Sequence, residues 1–368
     1  MHLAYDLRPC LSSATGVGFY VQRLLTAIAE LPDAPVCHLF TSSRKERFDP
    51  DRLPPALRRQ LVDRRIPVRL LNPLWHYLRF PPVDWLLGHA IDLAHSPTPL
   101  ILPSRGRSVI TVHDLFFLAR PELTRGEMKR DYPRLLAASL RRADGVICVS
   151  QATRAALLDR FPGCAAKSIA IASGVGSEYF EPAPPAVLLP ADLPSRFILF
   201  CGTIEPRKNL PLLLGQLLSL RRQGIAIPLV IAGGRGWGLD EFLPLRRELG
   251  EQVVELGYTP SELLPALYRR AAALVLPSLD EGFGFPVLEA LASGTPVLCS
   301  DVPALREVGA DQAAYFDLRR PEQLREQLAA LWRGELPFTP AAARGHAARF
   351  SWPATAAATL AFYRRVLS

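Results

Sequence analysis

The sequence predicts an α/β protein built from two Rossmann-like β/α/β domains facing each other across a cleft. Three observations predict it. Short apolar strands alternate with amphipathic helices from end to end. The strands are continuous Val/Ile/Leu runs, as in parallel sheets covered on both faces. A proline-rich break falls near the middle of the 368 residues, a length that suits two cores better than one.

In the first half the pattern places strands near 2–8, 36–42, 92–96, 107–113, 145–150 and 168–173, and helices near 17–30, 126–142 and 151–160. In the second half strands fall near 197–202, 228–233, 253–257, 273–277, 296–300 and 313–317. Helices there fall near 208–222, 239–249, 260–270, 286–293 and 321–333. Between the halves, Glu181-Pro182-Ala183-Pro184-Pro185 and the stretch from Pro190 to Pro194 have little to bury and read as a semi-rigid linker. The partition is therefore a domain over 1–178, a linker over 179–194, a domain over 195–350 and a terminal segment over 351–368. That last segment is helical in pattern and can cross back onto the first domain. Ligands bind in such sheets at the carboxyl ends of the strands, so two facing domains leave the cleft as the site.

Composition narrows the class. Hydrophobic residues are 49% and charged residues 21%, as in soluble globular proteins. No apolar run reaches 18 residues, so no bilayer span is expected. Met1 to Asp6 reads directly as a strand and not as a signal peptide, which points to the cytoplasm. The six cysteines are scattered, with no C-x-x-C pair and no zinc spacing with histidine, and read as small buried hydrophobes in a reducing compartment. Asp49-Pro50-Asp51 matches a D-x-D metal pattern but lies in a polar loop away from any strand end, so no metal is expected.

The formal charge of +8 favours anionic partners: a nucleotide diphosphate, an acidic membrane surface or nucleic acid. No nucleic-acid recognition module is present, which sets that partner aside. Arg58, Arg59, Arg64, Arg65 and Arg69 are interleaved with Leu57, Leu61, Val62 and Ile66. Two readings of this stretch stay open: a patch facing a membrane or an acceptor, and an ordinary solvated helix face.

Four motifs carry chemistry. In Glu281-Gly282-Phe283-Gly284-Phe285-Pro286-Val287-Leu288-Glu289, glycines precede a helix that Pro286 suits as a first residue and Gly294 as an end. The free N–H groups of its first turn form a ready anion site. Glu281 and Glu289 can face one cleft, one nearer a hexose and one nearer a ribose, because carboxylates accept from sugar hydroxyls. In Gly202-Thr203-Ile204-Glu205-Pro206-Arg207-Lys208-Asn209, a buried strand ends in a glycine turn and two adjacent cations open a helix. Arg207 and Lys208 can neutralise a departing diphosphate, the task Mg²⁺ performs elsewhere. Thr15-Gly16-Val17-Gly18 is a glycine loop at a helix start; Val21 stands where a dinucleotide fingerprint needs its third glycine. His113 closes the strand Val109-Ile110-Thr111-Val112, placed to touch a sugar or hold an acceptor.

On these residues the chain resembles glycosyltransferase family 4, the retaining group with the GT-B fold, over nearly its whole length. Glu281…Glu289 is similar to that family's E-x₇-E signature. Gly202 to Asn209 is similar to its loop of Glu, Arg, Lys and Asn, and Pro303 to Gly309 to the usual sequel. Asp6-Leu7-Arg8-Pro9, Gly16 to Gly18, His113-Asp114-Leu115, Val149-Ser150 and Gly174-Val175 follow in the family's order. The first domain is most similar to bacterial mannosyltransferases of polysaccharide and O-antigen assembly.

The resemblance implies a first domain on the acceptor side and a second that binds a nucleotide sugar. Arg207 and Lys208 would bind the donor diphosphate and Glu289 the ribose. Glu281 and the backbone of Gly282, Phe283, Gly284, Phe285 and Leu288 would hold the sugar and distal phosphate. Gly202 and the backbone around Tyr258 would meet the donor, the latter at its base. Gly16 and Gly18 would approach the phosphate, and His113 the sugar near its reacting carbon. Phe19-Tyr20 stands where the family often has Arg or His, which leaves the contacts on that side open. The implied reaction is retaining hexosyl transfer without a metal or other cofactor. GDP-mannose is the first choice of donor, ahead of UDP-glucose, UDP-N-acetylglucosamine and deoxysugar donors. A saccharide or lipid-linked saccharide at the inner membrane face would be the acceptor, with the enzyme cytoplasmic or peripheral there. Two other classes compete: a nucleotide-sugar 2-epimerase of the same fold, which needs no acceptor, and a non-catalytic donor-binding subunit, which would lack one of the cations or acids.

Overall fold

The computed structural model describes residues 1–11, 16–182, 189–190 and 193–368, with residues 127 and 128 described by backbone alone. Thr15 of the glycine loop and much of the proline-rich linker lie outside the described residues. The chain forms two compact units. One comprises Met1–Leu118, Gly126–Gly174 and Phe350–Ser368; the other comprises Ala119–Arg125 and Val175–Arg349.

The first unit is a seven-stranded parallel sheet. Its strands are β1 (His2–Asp6), β2 (Val36–Thr41), β3 (Leu61–Asp63), β4 (Leu93–Ser96), β5 (Arg107–Val112), β6 (Gly145–Cys148) and β7 (Ser168–Ala170). They lie in the order β3-β2-β1-β4-β5-β6-β7. The order reverses between β1 and β4, which makes the carboxyl ends of those strands the switch point of the sheet. Strands as apolar as Val-Ile-Thr-Val cannot leave a face in water, and helices cover both. The helix Gly16–Ala29 buries Tyr20, Val21, Leu24, Leu25 and Ile28, an i, i+4 stripe. On the other side of β5, Leu136, Leu140 and Leu157 pack with Ile110, Val112 and Val146.

The terminal helix Trp352–Leu367 belongs to this first unit. Ser351 caps it, accepting from the amide of Ala354 at 3.3 Å. Thr355 Oγ1 donates to the carbonyl of Ala172 at 2.8 Å. Farther along, Tyr363 Oη meets His95 Nδ1 of β4 at 2.5 Å inside the core.

The second unit is a six-stranded parallel sheet of β8 (Ile198–Cys201), β9 (Leu229–Ala232), β10 (Val253–Gly257), β11 (Ala273–Leu276), β12 (Val297–Ser300) and β13 (Ala314–Phe316). Its order is β10-β9-β8-β11-β12-β13, with the reversal between β8 and β11. The helix Leu210–Arg222 buries Leu210, Leu213, Leu214, Leu217 and Leu218 against it.

Some local readings change. The arginine-rich stretch is not one helix face. Arg58 ends the short helix Pro55–Arg58, Leu61 and Val62 enter β3, and Arg69 lies in the helix Val68–Pro73. Prolines at 54, 55, 67 and 73 cut the pattern too finely for one helix. Asp49 caps the 3₁₀ turn Pro50–Arg52, accepting from Asp51 N. All six cysteines are buried thiols. No helix among the described residues is long and apolar enough to cross a membrane.

Gly174 sits where the first unit receives the terminal helix. A Cβ there would lie 2.2 Å from Trp352 N and 2.5 Å from Ser351 C, both backbone atoms that cannot swing aside. Gly174→Ala is therefore expected to destabilise the first unit by about 1–3 kcal/mol, the usual cost of overpacking. Calorimetry of the whole chain reads it: the transition of the first unit moves down, and that of the second stays in place.

Candidate active site

In the second unit the segment after Gly202 and the segment leading to Glu281 meet at the sheet's switch point, while Tyr258 lies after the edge strand β10. Gly202 to Lys208 follows β8, and Ser278 to Glu281 follows β11, so adjacent parallel strands deliver both segments to one edge. Arg207 and Lys208 do not open the long helix, as the pattern suggests. They lie on the 3₁₀ turn Pro206–Lys208, and Asn209, left-handed at φ 52°, separates it from the helix Leu210–Arg222. Asparagine tolerates that conformation better than most side chains. The break turns both cations away from the helix and toward the loop after β11.

There Glu281 takes both of them. Its Oε2 accepts from Arg207 Nη1 at 2.7 Å. Its Oε1 accepts from Lys208 Nζ at 2.5 Å and Ser278 Oγ at 2.6 Å. Arg207 also donates through Nε to Glu205 Oε1 at 3.1 Å and through Nη1 to the carbonyl of Asp280 at 3.3 Å. The amide of Leu279 donates to the carbonyl of Arg207 at 2.8 Å, which locks the two loops together. The Lys208 side chain is 9% exposed and that of Glu281 6%. Burial alone would push the Glu281 carboxyl up. The charges of Lys208 and Arg207 and the hydrogen bonds from Lys208 and Ser278 outweigh it and hold the group down at about 2. Two cations and two carboxylates thus form a fixed cluster. With three bonds already accepted, Glu281 keeps about one acceptor position for a ligand hydroxyl.

The loop continues through Gly282 and Phe283, both buried, to Gly284. Gly284 has φ +108°, a value L side chains rarely adopt, and a Cβ there would meet Leu305 Cδ2 at 2.7 Å. This turn launches the helix Phe285–Ser293, with Pro286 as its second residue and Gly294 as its left-handed end. Phe283 and Phe285 pack edge to face at 5.1 Å, and Leu288 points into the core. Glu289 follows Leu288 and is also buried. Its Oε2 accepts from Tyr268 Oη at 2.8 Å, and a second hydrogen bond ties it to Tyr179. Burial drives both phenols well above their ordinary range, so each remains a donor. Gly202 directly follows β8, and a Cβ built on it would lie 3.6 Å from Lys208 Cε. Tyr258 stands 61% exposed just after β10.

In the first unit, the glycine loop and the histidine meet through Tyr20. Gly16 opens the helix Gly16–Ala29 and Gly18, its third residue, is buried, its carbonyl accepting from Cys10 Sγ at 3.7 Å. Tyr20 is fully buried, edge-on to His113 at 5.0 Å and to Trp352 at 6.1 Å. Tyr20 thus fills the junction between the end of β5 and the terminal helix. His113 Nε2 donates to the carbonyl of Pro97 at 2.9 Å, which fixes the tautomer and leaves Nδ1 as an acceptor. Burial lowers its pKa, against the raising effects of that hydrogen bond and of Asp114, so the ring is neutral at pH 7.

Sequence reasoning gave no role to Ser278, Glu205, Tyr268, Tyr179 or Pro97. Glu205 sits inside a quoted motif, and Ser278 lies three residues before Glu281 at the end of a strand, so both could have been read from the sequence. Tyr268 lies in an apolar helix and Tyr179 at the first position of the expected linker, and neither position signals a polar partner. Among the described residues no group of three or more His, Cys, Asp or Glu side chains is arranged to hold a metal ion.

Residues 14–178 match the family described as Glycosyltransferase Family 4, and residues 189–344 match Glycosyl transferases group 1. The chain is 30% identical to the O-antigen chain mannosyltransferase B of Escherichia coli, an alignment covering 99% of this chain and 100% of the relative. The fold is similar to sucrose-phosphate synthase from Thermosynechococcus elongatus, with a TM-score of 0.72, 22% identity and coverage of 99% and 98% of the two chains. It is also similar to Anabaena HepE in complex with UDP and glucose, at TM-score 0.71 and 16% identity over 98% and 99%.

The ion pairs of Glu281 make the second unit's stability depend on pH. The folded value of about 2 lies below the ordinary 4.5, so the contribution is complete above pH 4.5 and is lost as pH falls toward 2. Glu281→Gln takes the carboxylate from the buried Lys208 and one of two carboxylates from the half-buried Arg207, and is expected to cost roughly 3–5 kcal/mol at pH 7. Urea unfolding between pH 7 and pH 2 checks this: the variant starts weaker and loses less stability below pH 4.5 than the natural chain. Identical pH profiles would contradict the assignment.

Proposed function

This chain belongs to glycosyltransferase family 4 and has the GT-B fold, and on that premise we propose that it is a retaining, metal-independent hexosyltransferase using GDP-mannose. Its acceptor is a saccharide or lipid-linked saccharide in cell-surface polysaccharide assembly, at the cytoplasmic face of the membrane. The observation that carries the reading is the pair Arg207 and Lys208, held side by side at the switch point by Glu281. The E. coli relative's name as an O-antigen chain mannosyltransferase supports mannose and the polysaccharide setting.

The largest electrostatic change in such a transfer is the charge that grows on the departing diphosphate. Arg207 offers a planar fork to it and Lys208 a point charge, and both are positioned before the ligand arrives. That pair supplies the neutralisation a divalent metal provides in other transferases. The amides at the start of the helix Phe285–Ser293 face the distal phosphate and the sugar. Glu281 accepts from a sugar hydroxyl at its remaining position, and Glu289 from the ribose. In the first unit, Gly16 and Gly18 keep the family's role toward phosphate, and His113 offers Nδ1 as an acceptor to a sugar hydroxyl.

The acceptor hydroxyl attacks the anomeric carbon from the face the diphosphate leaves. The bond from that carbon to the β-phosphate oxygen breaks, its electron pair goes to the oxygen, and the acceptor's proton follows to the phosphate. Configuration is retained through an oxocarbenium-like state. The rival is a double displacement through a carboxylate nucleophile. Glu281, already bound to two cations and a serine, is a poor nucleophile for that route.

Arg207→Ala and Lys208→Ala are each expected to lower kcat by about 10²–10³, the cost of one preorganised donor. Chelator should leave the natural enzyme unchanged, and near-natural turnover in either variant would remove the diphosphate role. Tyr268→Phe takes one donor from Glu289 and should weaken nucleoside diphosphate binding severalfold while leaving pyrophosphate binding unchanged; calorimetric titration separates the two. A thermal-shift panel of nucleotide sugars should give its largest rise with GDP-mannose.

A further inference from the structure

We propose that residues 64–85 of the first unit form a docking surface for an anionic lipid bilayer. Large exposed apolar side chains are concentrated there. Of the nine that stand out among the described residues, six fall in this one stretch: Val68, Leu70, Tyr77, Leu78, Phe80 and Trp85. Tyr77 is 62% exposed and Leu78 69%, where a side chain free to pack would be covered. A cluster of that kind marks an interaction surface, since single exposed hydrophobics are scattered on ordinary surfaces.

The segment is firmly held, so its exposure is not that of a loose loop. Leu71, Trp75, Val83 and Leu87 are buried in a cluster with Phe40 and Ala94 of the sheet. Trp75 Nε1 donates to the carbonyl of Pro81 at 2.8 Å. The Arg8 guanidinium lies 4.4 Å over the Trp75 ring and donates through Nη1 to Asn72 Oδ1 at 3.0 Å. The helix Val68–Pro73 and the π-helical turn Leu74–Leu78 thus bury one side and offer the other to solvent.

Charge selects the occupant. From residue 64 to residue 83 there is no acidic residue, while Arg64, Arg65, Arg69 and Arg79 are exposed. Asp84 is buried and spent on Ser104 Oγ at 2.9 Å and the amide of Arg105 at 3.1 Å. Phe80 and Trp85 pack edge to face at 5.3 Å, with the Arg105 guanidinium 5.1 Å over Trp85. Tryptophan and tyrosine beside arginines are suited to a headgroup boundary, where the rings enter the acyl edge and the cations stay with phosphate. Each arginine near an anionic surface adds attraction, and salt weakens it. A second copy of this chain would bring the same positive charge to the face and repel it.

The inference deepens the acceptor side of the proposed function and rests on it in one respect: a lipid-linked acceptor gives a membrane surface its use. The test separates the two. The full chain is mixed with vesicles of phosphatidylcholine alone and with vesicles carrying phosphatidylglycerol, then sedimented, with tryptophan emission recorded. Binding is expected only to the anionic vesicles, with a blue shift that Trp85→Phe reduces. Leu70→Ser/Tyr77→Ser/Leu78→Ser and Arg69→Gln/Arg105→Gln should each lower the bound fraction about tenfold, with melting temperature and transfer to a soluble saccharide unchanged. Failure of the natural chain to bind anionic vesicles would overturn the proposal, whatever its transferase activity. So would a triple-serine variant that binds equally well, or a dimer of the natural chain that the triple-serine variant dissolves.

Discussion

A carboxylate that is 6% exposed and accepts from Arg207, Lys208 and Ser278 constrains everything around it. Burying Lys208 beside a half-buried Arg207 is unfavourable unless they are paired, and removing one partner of such a cluster leaves charge stranded. Glu281 resolves that for the free protein. It draws the 3₁₀ turn after β8 onto the loop after β11, and the backbone bond between Leu279 and Arg207 completes the seam. Once the two loops are joined, the cations need not reorganise to meet an anion, which is where electrostatic catalysis gains most. The cluster is therefore near-neutral in the free protein, and on the proposed function a donor's negative charge would enter a lattice already in place.

Glu289 is organised on the same principle with neutral partners. Two buried phenols, Tyr268 and Tyr179, hold its carboxylate, and a helix that starts at a left-handed glycine brings it one turn from the loop. The first unit keeps its own order through the terminal helix. Trp352 packs on Tyr20, Tyr20 on His113, and Tyr363 reaches His95 beneath them. The last residues of the chain thus support the strand end that carries His113.

The strands and long helices were legible because apolar runs and periodicity are local signals, and the switch points follow once the strands are ordered. Arg207, Lys208 and Glu281 stand out in the sequence because glycine turns mark strand ends, and the fold brings those three side chains together; Glu289 is held apart from them by two phenols. Less was legible where one residue's conformation decides. Asn209 splits a turn from a helix that the pattern runs together. Prolines break the arginine-rich stretch into a helix, a strand and a second helix, and β3 is too short for any alternation to show. The pairing of Glu281 with both cations bridges residues 73 and 74 positions apart, which no local pattern encodes. Nothing local marks Tyr179 or Tyr268, and only the fold reveals that their hydroxyls converge on one carboxylate.

The central claim is that the cations fixed by Glu281 receive the diphosphate of an activated sugar. A crystal structure of the chain with a bound nucleoside diphosphate tests it most directly. The account predicts phosphate oxygens within hydrogen-bonding distance of Arg207 and Lys208 and the ribose hydroxyls on Glu289. A ligand bound away from β8 and β11, with the Glu281 cluster untouched, would contradict it.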